Sequence, residues 1–184
     1  MKAFTLTALA ALAMASATGA SANTGTIKFS GAITSSTCDI NLTVDGIVSP
    51  TGVAELGTYD ASAASTVGVF GTPVALSLVP DLATCTSSPA GLGAQVSVVS
   101  PQVDDANTSV ITNADTATTN VGVLLTLESG TPVVNQGNIA LTSGSTDLDA
   151  TTAAINFTAQ PYATEATIAA GLIGGTASYT VSYL

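Results

Sequence analysis

Apolar and polar residues alternate at every second position in several short segments of this chain, and that period predicts β-strands. The segments after residue 70 are residues 72–79, 94–98, 121–127, 154–159 and 177–183. The third of them is a longer apolar run with β-branched residues, which also favour strands. Residues 26–30 form a further alternating segment near the N-terminus.

Turn-forming residues separate these segments, and no helix-length amphipathic pattern appears after residue 22. The turn clusters lie at residues 44–46, 87–91, 104–107, 128–132 and 143–145. Residues 61–66 are compatible with a short helical turn. Many short strands at regular spacing predict an all-β protein, a single β-sandwich domain of the immunoglobulin type.

The first residues form a separate segment with the layout of a secretory signal peptide. Lys2 gives it a positive start, an apolar run follows, and Ala20-Ser21-Ala22 is a small-residue cleavage site. We therefore predict a signal peptide at residues 1–22; cleavage after Ala17 is the alternative. The apolar run is too short to span about 30 Å of hydrocarbon, which disfavours a transmembrane anchor.

Charge and composition exclude several functional classes. The chain has 2 Lys and Arg against 12 Asp and Glu, a formal net charge of −10, and no His. Nucleic-acid binding requires cations that this chain lacks. Without His, the Ser-His-Asp and Cys-His nucleophile systems and most zinc sites are excluded. Removal of residues 1–22 leaves Lys28 as the only cation of an acidic exported protein.

The chain has two cysteines, Cys38 and Cys85. An exported chain reaches an oxidising compartment, where disulfides form and persist. Only one pairing is possible, so we predict a disulfide between them; two free buried thiols are the alternative. Closing a loop of this length stabilises a fold by about 4 kcal/mol in the chain-entropy model.

Two acidic clusters are candidates for acid–base chemistry or Ca²⁺ binding: Asp104-Asp105 and Asp147-Leu148-Asp149. Both lie among turn-forming residues, and neither supplies enough oxygen ligands at set spacings for a calcium loop. The chain contains no phosphate-binding loop, dinucleotide fingerprint or nucleophile elbow. The sequence therefore predicts a protein that is not an enzyme and that has no metal site and no cofactor.

Both ends of the predicted mature chain carry short motifs that are specific in combination. At the start, residues 25–33 (GTIKFSGAI) precede Thr37-Cys38-Asp39-Ile40. At the end, Gly171 is the fourteenth residue counted back from Leu184, alternating apolar residues follow it, and Tyr183 is penultimate. Together with the cysteine spacing, these motifs resemble type 1-like fimbrial (pilus) major subunits of the chaperone–usher pilin family. The resemblance covers essentially the whole mature chain.

The resemblance implies an incomplete immunoglobulin-like sandwich that lacks its last strand and is completed by a donor strand from another chain. In that family a periplasmic chaperone fills the gap first, and the N-terminal strand of the next subunit replaces it. Residues 23–30 would then be a donor-strand extension, and residues 31–184 the pilin domain. Gly25, Ile27 and Phe29 would enter a neighbour's groove; alternatively, they belong to the first strand of the chain's own domain.

The resemblance also implies a role for the C-terminal motif. Tyr179, Val181 and Tyr183 would line the edge of the groove, in the motif that begins at Gly171. Tyr183 and the terminal carboxylate of Leu184 would be read by the chaperone. The alternative interpretation is ordinary core and edge packing.

These features predict a structural subunit of an extracellular fimbria on the bacterial surface, exported through the periplasm. It would polymerise head-to-tail with identical or related pilin subunits, support cell adhesion, and have a periplasmic chaperone and an outer-membrane usher as partners. Neither nucleic acid nor a small-molecule cofactor is expected. Cleavage after Ala22 leaves a short extension before Gly25, which keeps a minor or terminating pilin open. An adhesive ligand-binding subunit and a self-contained secreted β-sandwich also stay open.

Overall fold

The computed structural model describes residues 36–184 of the chain. The predicted signal peptide and the predicted donor segment, residues 23–30, lie outside this range. Within it the structure is almost entirely β, and the helical elements are a 3₁₀ turn at Ala61–Ala63 and one helical turn, α1, at Thr116–Thr119. The predicted short turn near residue 61 is therefore confirmed. Among residues 36–184, no helix is long and apolar enough to cross a membrane.

Ten strands lie within the described residues. They are β1 (Ile40–Val44), β2 (Ile47–Val48), β3 (Gly68–Val69), β4 (Val74–Pro80), β5 (Ala94–Val99), β6 (Val110–Ile111), β7 (Val121–Leu127), β8 (Ile139–Leu141), β9 (Ile155–Ala163) and β10 (Ser178–Tyr183). The five strands predicted after residue 70 are confirmed as β4, β5, β7, β9 and β10. β1, β8 and the two-residue strands were not predicted.

The strands form two antiparallel sheets. The larger has the order β2-β1-β4-β9-β7-β6, with β3 paired to β9, and the smaller has the order β10-β5-β8. In β9 every second residue is buried, and β4 shows the same alternation. The inward side chains of the two sheets meet in one apolar core, which includes Val96, Ile155 and Phe157. Alternation therefore sets the inward faces of β4, β5 and β9.

A tight turn joins β1 to β2, where the sequence predicts a turn. Asp45 and Gly46 both have positive φ, 49° and 79°, as in the two-residue turns that match the twist of a hairpin. Beyond the turn, Val44 pairs with Ile47. The N–H of Ser49 then donates to the carbonyl of Leu42 at 2.8 Å. The chain thus returns along the outer edge of β1.

The predicted disulfide is present. Cys38 and Cys85 are joined with an S–S distance of 2.06 Å. The bond ties the residues before β1 to the loop after β4, and the N–H of Thr86 donates to the carbonyl of Thr37 beside it at 3.0 Å. The start of β1 is therefore fixed to its neighbouring strand covalently as well as by hydrogen bonds.

Candidate functional site

An apolar cavity of about 520 Å³ lies between the two sheets, at the margin where β1 faces β10. We call it the groove. Its floor is formed by inward side chains of the central strands, namely Leu76, Leu78, Val98, Leu125 and Phe157. At this margin, core side chains are accessible from the surface, because no strand among the described residues lies between the two sheets.

The walls of the groove come from both sheets. One wall is β1 with residues 49–54, and the other is the start of β10 with Ala177. Every described residue that lines the groove is uncharged, although the chain carries 12 acidic residues. An apolar concave surface of this kind is typical of a site that another molecule covers.

The groove borders a strand edge that is largely without a partner in the described part of the chain. β10 pairs with β5 along its whole length. On its other side, the pairing within residues 36–184 is one isolated antiparallel bridge, from Ser36 to Tyr183. Residues 178–181 therefore present an edge to which another strand can be added.

Tyr179 connects the two walls across this margin. Its hydroxyl donates to the carbonyl of Ile40 at 3.4 Å. That carbonyl is accessible because the Asp81 N–H bonds to the Asp39 carbonyl at 2.8 Å, which makes 39 and 81 a hydrogen-bonded pair. The next residue in an antiparallel ladder directs its backbone groups to the opposite side. Ile40 therefore points its carbonyl away from β4 and towards the groove.

A family model for fimbrial proteins matches residues 27–184. The chain belongs to the fimbrial protein family. The crystal structure of the P pilus rod subunit PapA is similar, with 14% identity, a TM-score of 0.57, and coverage of 88% of this chain and 100% of that one. A structure of a chaperone–usher pilus, described as revealing the basis of rod uncoiling, matches at 15% identity with a TM-score of 0.53, covering 88% of this chain and 96% of the other. No curated protein sequence matches significantly.

At these identities the structural similarity concerns the fold alone. The fold of this fimbrial protein is all-β, an immunoglobulin-like sandwich that is open at one margin, and it is similar to chaperone–usher pilus subunits. The predicted fold class is confirmed.

Tyr183 of the fimbrial protein lies inside the core. It is 2% exposed, and its hydroxyl donates to the carbonyl of Ala153 at 2.9 Å. Burial raises the pKa of Tyr183 to about 12, because the phenolate would lose its hydration. Its packing role is therefore clear, whereas recognition of this residue by a chaperone stays a prediction.

Val181 and Leu184 occupy different environments at the end of β10. Val181 is half-buried and packs against the core. Leu184 is 47% exposed, and its N–H donates to the carbonyl of Gly93 at 2.9 Å. The structure thus brings Tyr179 to the groove, orients Val181 and Tyr183 into the core, and leaves the terminal residue at the surface.

Gly171 lies away from the groove. A Cβ at this position would overlap Cγ2 of Thr119, the last residue of α1. Gly171 and Thr119 also line a second cavity of about 260 Å³, together with Tyr59 and Phe70. The described structure therefore accounts for the glycine through close packing against α1, and a role at the groove edge stays a prediction.

Sequence reasoning missed one wall of the groove. Residues 40–44 alternate strictly, Ile-Asn-Leu-Thr-Val, and this pattern is the signal that identifies β1. The segment at residues 49–54 carries no comparable signal, because its place beside the groove depends on the hairpin that precedes it.

The acidic clusters serve local turns. Asp104 accepts hydrogen bonds from the N–H groups of Ala106 and Asn107 at 3.1 and 2.8 Å. The N–H groups of Thr152 and Thr151 lower the pKa of Asp149. Among the described residues, no group of three or more His, Cys, Asp or Glu side chains is arranged to hold a metal ion.

Proposed function

We propose that this fimbrial protein is a structural pilus subunit whose groove receives the N-terminal donor strand, residues 23–30, of the next copy. The observation that carries the proposal is an uncharged apolar groove beside the edge of β10 at residues 178–181, to which no strand within residues 36–184 is added. An added strand supplies backbone hydrogen bonds to that edge and buries alternate side chains in the groove.

The sequence of the donor segment suits this groove. Gly25, Ile27 and Phe29 fall on one face of an extended strand because side chains alternate. Burying the two large side chains contributes roughly 1.5–3 kcal/mol each. Gly25 has no side chain and would allow close backbone approach to the groove. Lys28 falls on the other face, where its charge stays in solvent.

The position of Ser36 favours contact between different copies. Ser36 is the first described residue and lies beside Tyr183, so the preceding segment is joined to the domain at this end of β10. An antiparallel donor strand places the donor's own domain beyond Ser178, at the opposite end. Attachment at one end and docking at the other produce a head-to-tail contact that does not close, and hence a filament.

The same accessible groove supports the proposed route of export and assembly. A subunit with an exposed apolar groove aggregates unless it is covered, so a periplasmic chaperone that lends a strand would protect it until an outer-membrane usher adds it to the fibre. The finished filament would lie outside the cell and support adhesion. One solved structure with a similar fold is that of a chaperone–usher pilus, which supports this route.

The donor segment offers a direct test in cells that assemble the protein. In wild-type sheared fibres we expect a ladder of subunit multiples on denaturing gels, which collapses to monomer after heating in acid. Ile27→Asp should abolish the ladder, because a carboxylate cannot enter the apolar groove. Thr26→Asp is the matched control on the opposite strand face and should keep the ladder. Equal ladders from both variants would refute the proposal.

Lys28 gives an independent readout. It is the one trypsin site beyond residue 2, since the chain contains 2 Lys and Arg in total. Trypsin should cut the donor segment rapidly in free subunits and slowly in fibres, where that segment pairs with β10. Rapid cutting at Lys28 in intact fibres would contradict donor-strand pairing.

A further inference from the structure

Three asparagines of this chain begin the sequence Asn-X-Ser/Thr, the acceptor motif for N-linked glycans. They are Asn41 (Asn-Leu-Thr), Asn107 (Asn-Thr-Ser) and Asn156 (Asn-Phe-Thr). The motif is short and arises by chance in many chains, so the surroundings of each asparagine decide whether a glycan can be attached. A folded acceptor needs an accessible amide nitrogen and space for a bulky saccharide.

Asn156 is fully engaged inside the larger sheet. It belongs to β9, which has β4 on one side and β7 on the other. Its Nδ2 donates to the carbonyl of Thr146 at 3.0 Å, and its Oδ1 accepts from the hydroxyl of Ser77 at 2.9 Å. Both polar atoms of this amide are therefore bonded within the domain, which disfavours transfer of a sugar to it.

Asn41 is exposed, but its motif is part of a strand beside the groove. It lies in β1, where it pairs with Val79 of β4, and it lines the groove. The third residue of the motif, Thr43, is 8% exposed, and its hydroxyl donates to the carbonyl of Ser77 at 3.3 Å. The hydroxyl that the motif requires is therefore bonded inside the sheet. A glycan on Asn41 would also stand where the proposed donor strand enters.

Asn107 lies in a closed surface loop. The N–H of Asp104 donates to the carbonyl of Val110 at 3.0 Å. The N–H of Val110 in turn donates to the carbonyl of Asn107 at 2.9 Å, which forms a tight turn over the motif. Thr108, at the middle position, is exposed, and Asn107 and Ser109 are partly exposed. All three positions of this motif are therefore accessible at a turn.

The amide of Asn107 is oriented by its own motif. Its Oδ1 accepts from the N–H of Ser109 at 3.2 Å, which is an Asx turn across the three residues. Within residues 36–184, its Nδ2 takes part in no hydrogen bond. The Ser109 hydroxyl accepts from Nε2 of Gln136 at 3.1 Å and keeps its own proton for another acceptor. The nitrogen and the hydroxyl that the motif supplies are thus both available.

A glycan at this loop is compatible with strand exchange at the groove. The loop leads into β6, whereas the groove lies at the margin of β1. In the larger sheet, β4, β9 and β7 separate these two strands. A sugar on Asn107 and a donor strand in the groove would therefore occupy opposite sides of the sheet.

We propose that Asn107 is the acceptor of an N-linked glycan, transferred during export from a lipid diphosphate-linked oligosaccharide. Nδ2 attacks the anomeric carbon of the sugar. A C–N bond forms, the bond from that carbon to the diphosphate oxygen breaks, and the lipid diphosphate leaves. The nitrogen gives one proton to a base of the transferase, so the step needs neither an oxidant nor a reductant. This modification depends on the predicted export and is independent of donor-strand assembly.

Glu-specific cleavage of subunits from cells that assemble the protein tests the three motifs separately. The chain contains three glutamates, Glu55, Glu128 and Glu165. After reduction of the disulfide, cleavage at these positions places each motif on its own fragment. Mass spectrometry should show one added oligosaccharide on the fragment of residues 56–128, which contains Asn107, and none on the other two. An unmodified 56–128 fragment, or a sugar on another motif instead, would overturn the proposal.

Substitutions within the motif identify the linkage. Ser109→Ala should remove the added mass, because the motif loses its hydroxyl, whereas Ser109→Thr should retain it. Thr108→Ala is the matched control at the neighbouring position and should also retain it. Added mass that persists in Ser109→Ala, or that disappears in both alanine variants, would overturn the assignment to Asn107.

The gel ladder separates this proposal from donor-strand assembly. All of these variants should give the wild-type ladder, which also shows that they fold. A ladder that disappears together with the glycan would contradict a site remote from the groove. Absence of the ladder in glycosylated wild-type protein would instead refute donor-strand assembly alone.

Discussion

The larger sheet has two margins, and a segment of the chain covers only one of them. Near β6, residues 164–177 run across α1, and the N–H of Ala169 donates to the carbonyl of Thr119 at 3.0 Å. The N–H of Leu172 bonds to the Asp115 carboxylate at 3.1 Å. We call this the covered margin, and the groove side, at β1, the open margin. At the open margin, the Tyr179 hydroxyl bond joins the two walls.

The comparison shows how one chain both protects and exposes its edges. The covered margin uses glycines, since Gly171 and Gly175 pass too close to Thr119 and Ile111 for any side chain. The open margin has no such segment among residues 36–184, and its apolar floor stays accessible. Exposed strand edges are normally blocked, so an edge left open beside an apolar groove favours a functional pairing site.

The largest effect is expected from filling the open margin. Ala177→Phe would place a ring in the groove from its own wall. The donor strand would then lose its space, and we expect the yield of polymer on gels to fall at least tenfold. Ala140→Phe on β8 is the control, because Ala140 is exposed at the other edge of the smaller sheet. Polymer yields that fall equally in both variants would break the distinction between the margins.

A stability change is expected at the covered margin. Gly171→Ala introduces a methyl group that overlaps Thr119, and overpacking of this kind costs about 1–3 kcal/mol in the free energy of unfolding. Thr119→Ser removes the overlapping carbon and should recover part of that loss in the double variant. Denaturant unfolding measures both changes. Independent, additive effects of the two substitutions would show that this contact is not the cause.

Tyr183 should make the stability of the domain depend on pH. An unfolded tyrosine has a pKa near 10, whereas burial raises the pKa of Tyr183 to about 12. A raised folded-state pKa contributes stability that is complete below about pH 10 and is lost as the pH rises towards 12. We expect the free energy of unfolding to decrease over that interval. Tyr183→Phe should flatten the decrease, at a cost of about 1–3 kcal/mol at neutral pH from the unpaired Ala153 carbonyl.

The smallest effect is expected at the Tyr179 bond. Tyr179→Phe removes one hydroxyl bond across the open margin and should change the free energy of unfolding by less than about 1 kcal/mol. The groove opens more readily without it, so subunits should add to fibres somewhat faster in a time course. A slower addition rate would indicate that this hydroxyl assists docking instead of restraining it.

Prediction from sequence succeeded where burial is regular. β4 and β9 bury every second residue, and a period of two is also visible in their sequences. β2, β3 and β6 have two residues each, too few to display a period. The pairing of β3 also depends on a neighbour that is distant in the chain, since Val69 pairs with Tyr162.

The candidate site divides in the same way. The C-terminal motif pointed to β10, and Tyr179 does line the groove. Gly171 belongs to the same motif but lies against Thr119, because the segment between β9 and β10 first crosses α1. The wall formed by β1 and residues 49–54 was missed: the alternation of residues 40–44 could have identified β1, whereas the place of residues 49–54 beside the groove is decided only by the folded sheets.

The sequence by itself determined the all-β class, the one possible disulfide, the acidic charge and the family to which the chain belongs. Those properties reside in composition, period two and short motifs, which need no knowledge of distant contacts. Only the tertiary structure decided which margin stays open and which side chains form the groove. An edge is open or covered according to which strands lie side by side, and residues far apart in the chain, such as Ile40 and Tyr179, meet only after folding.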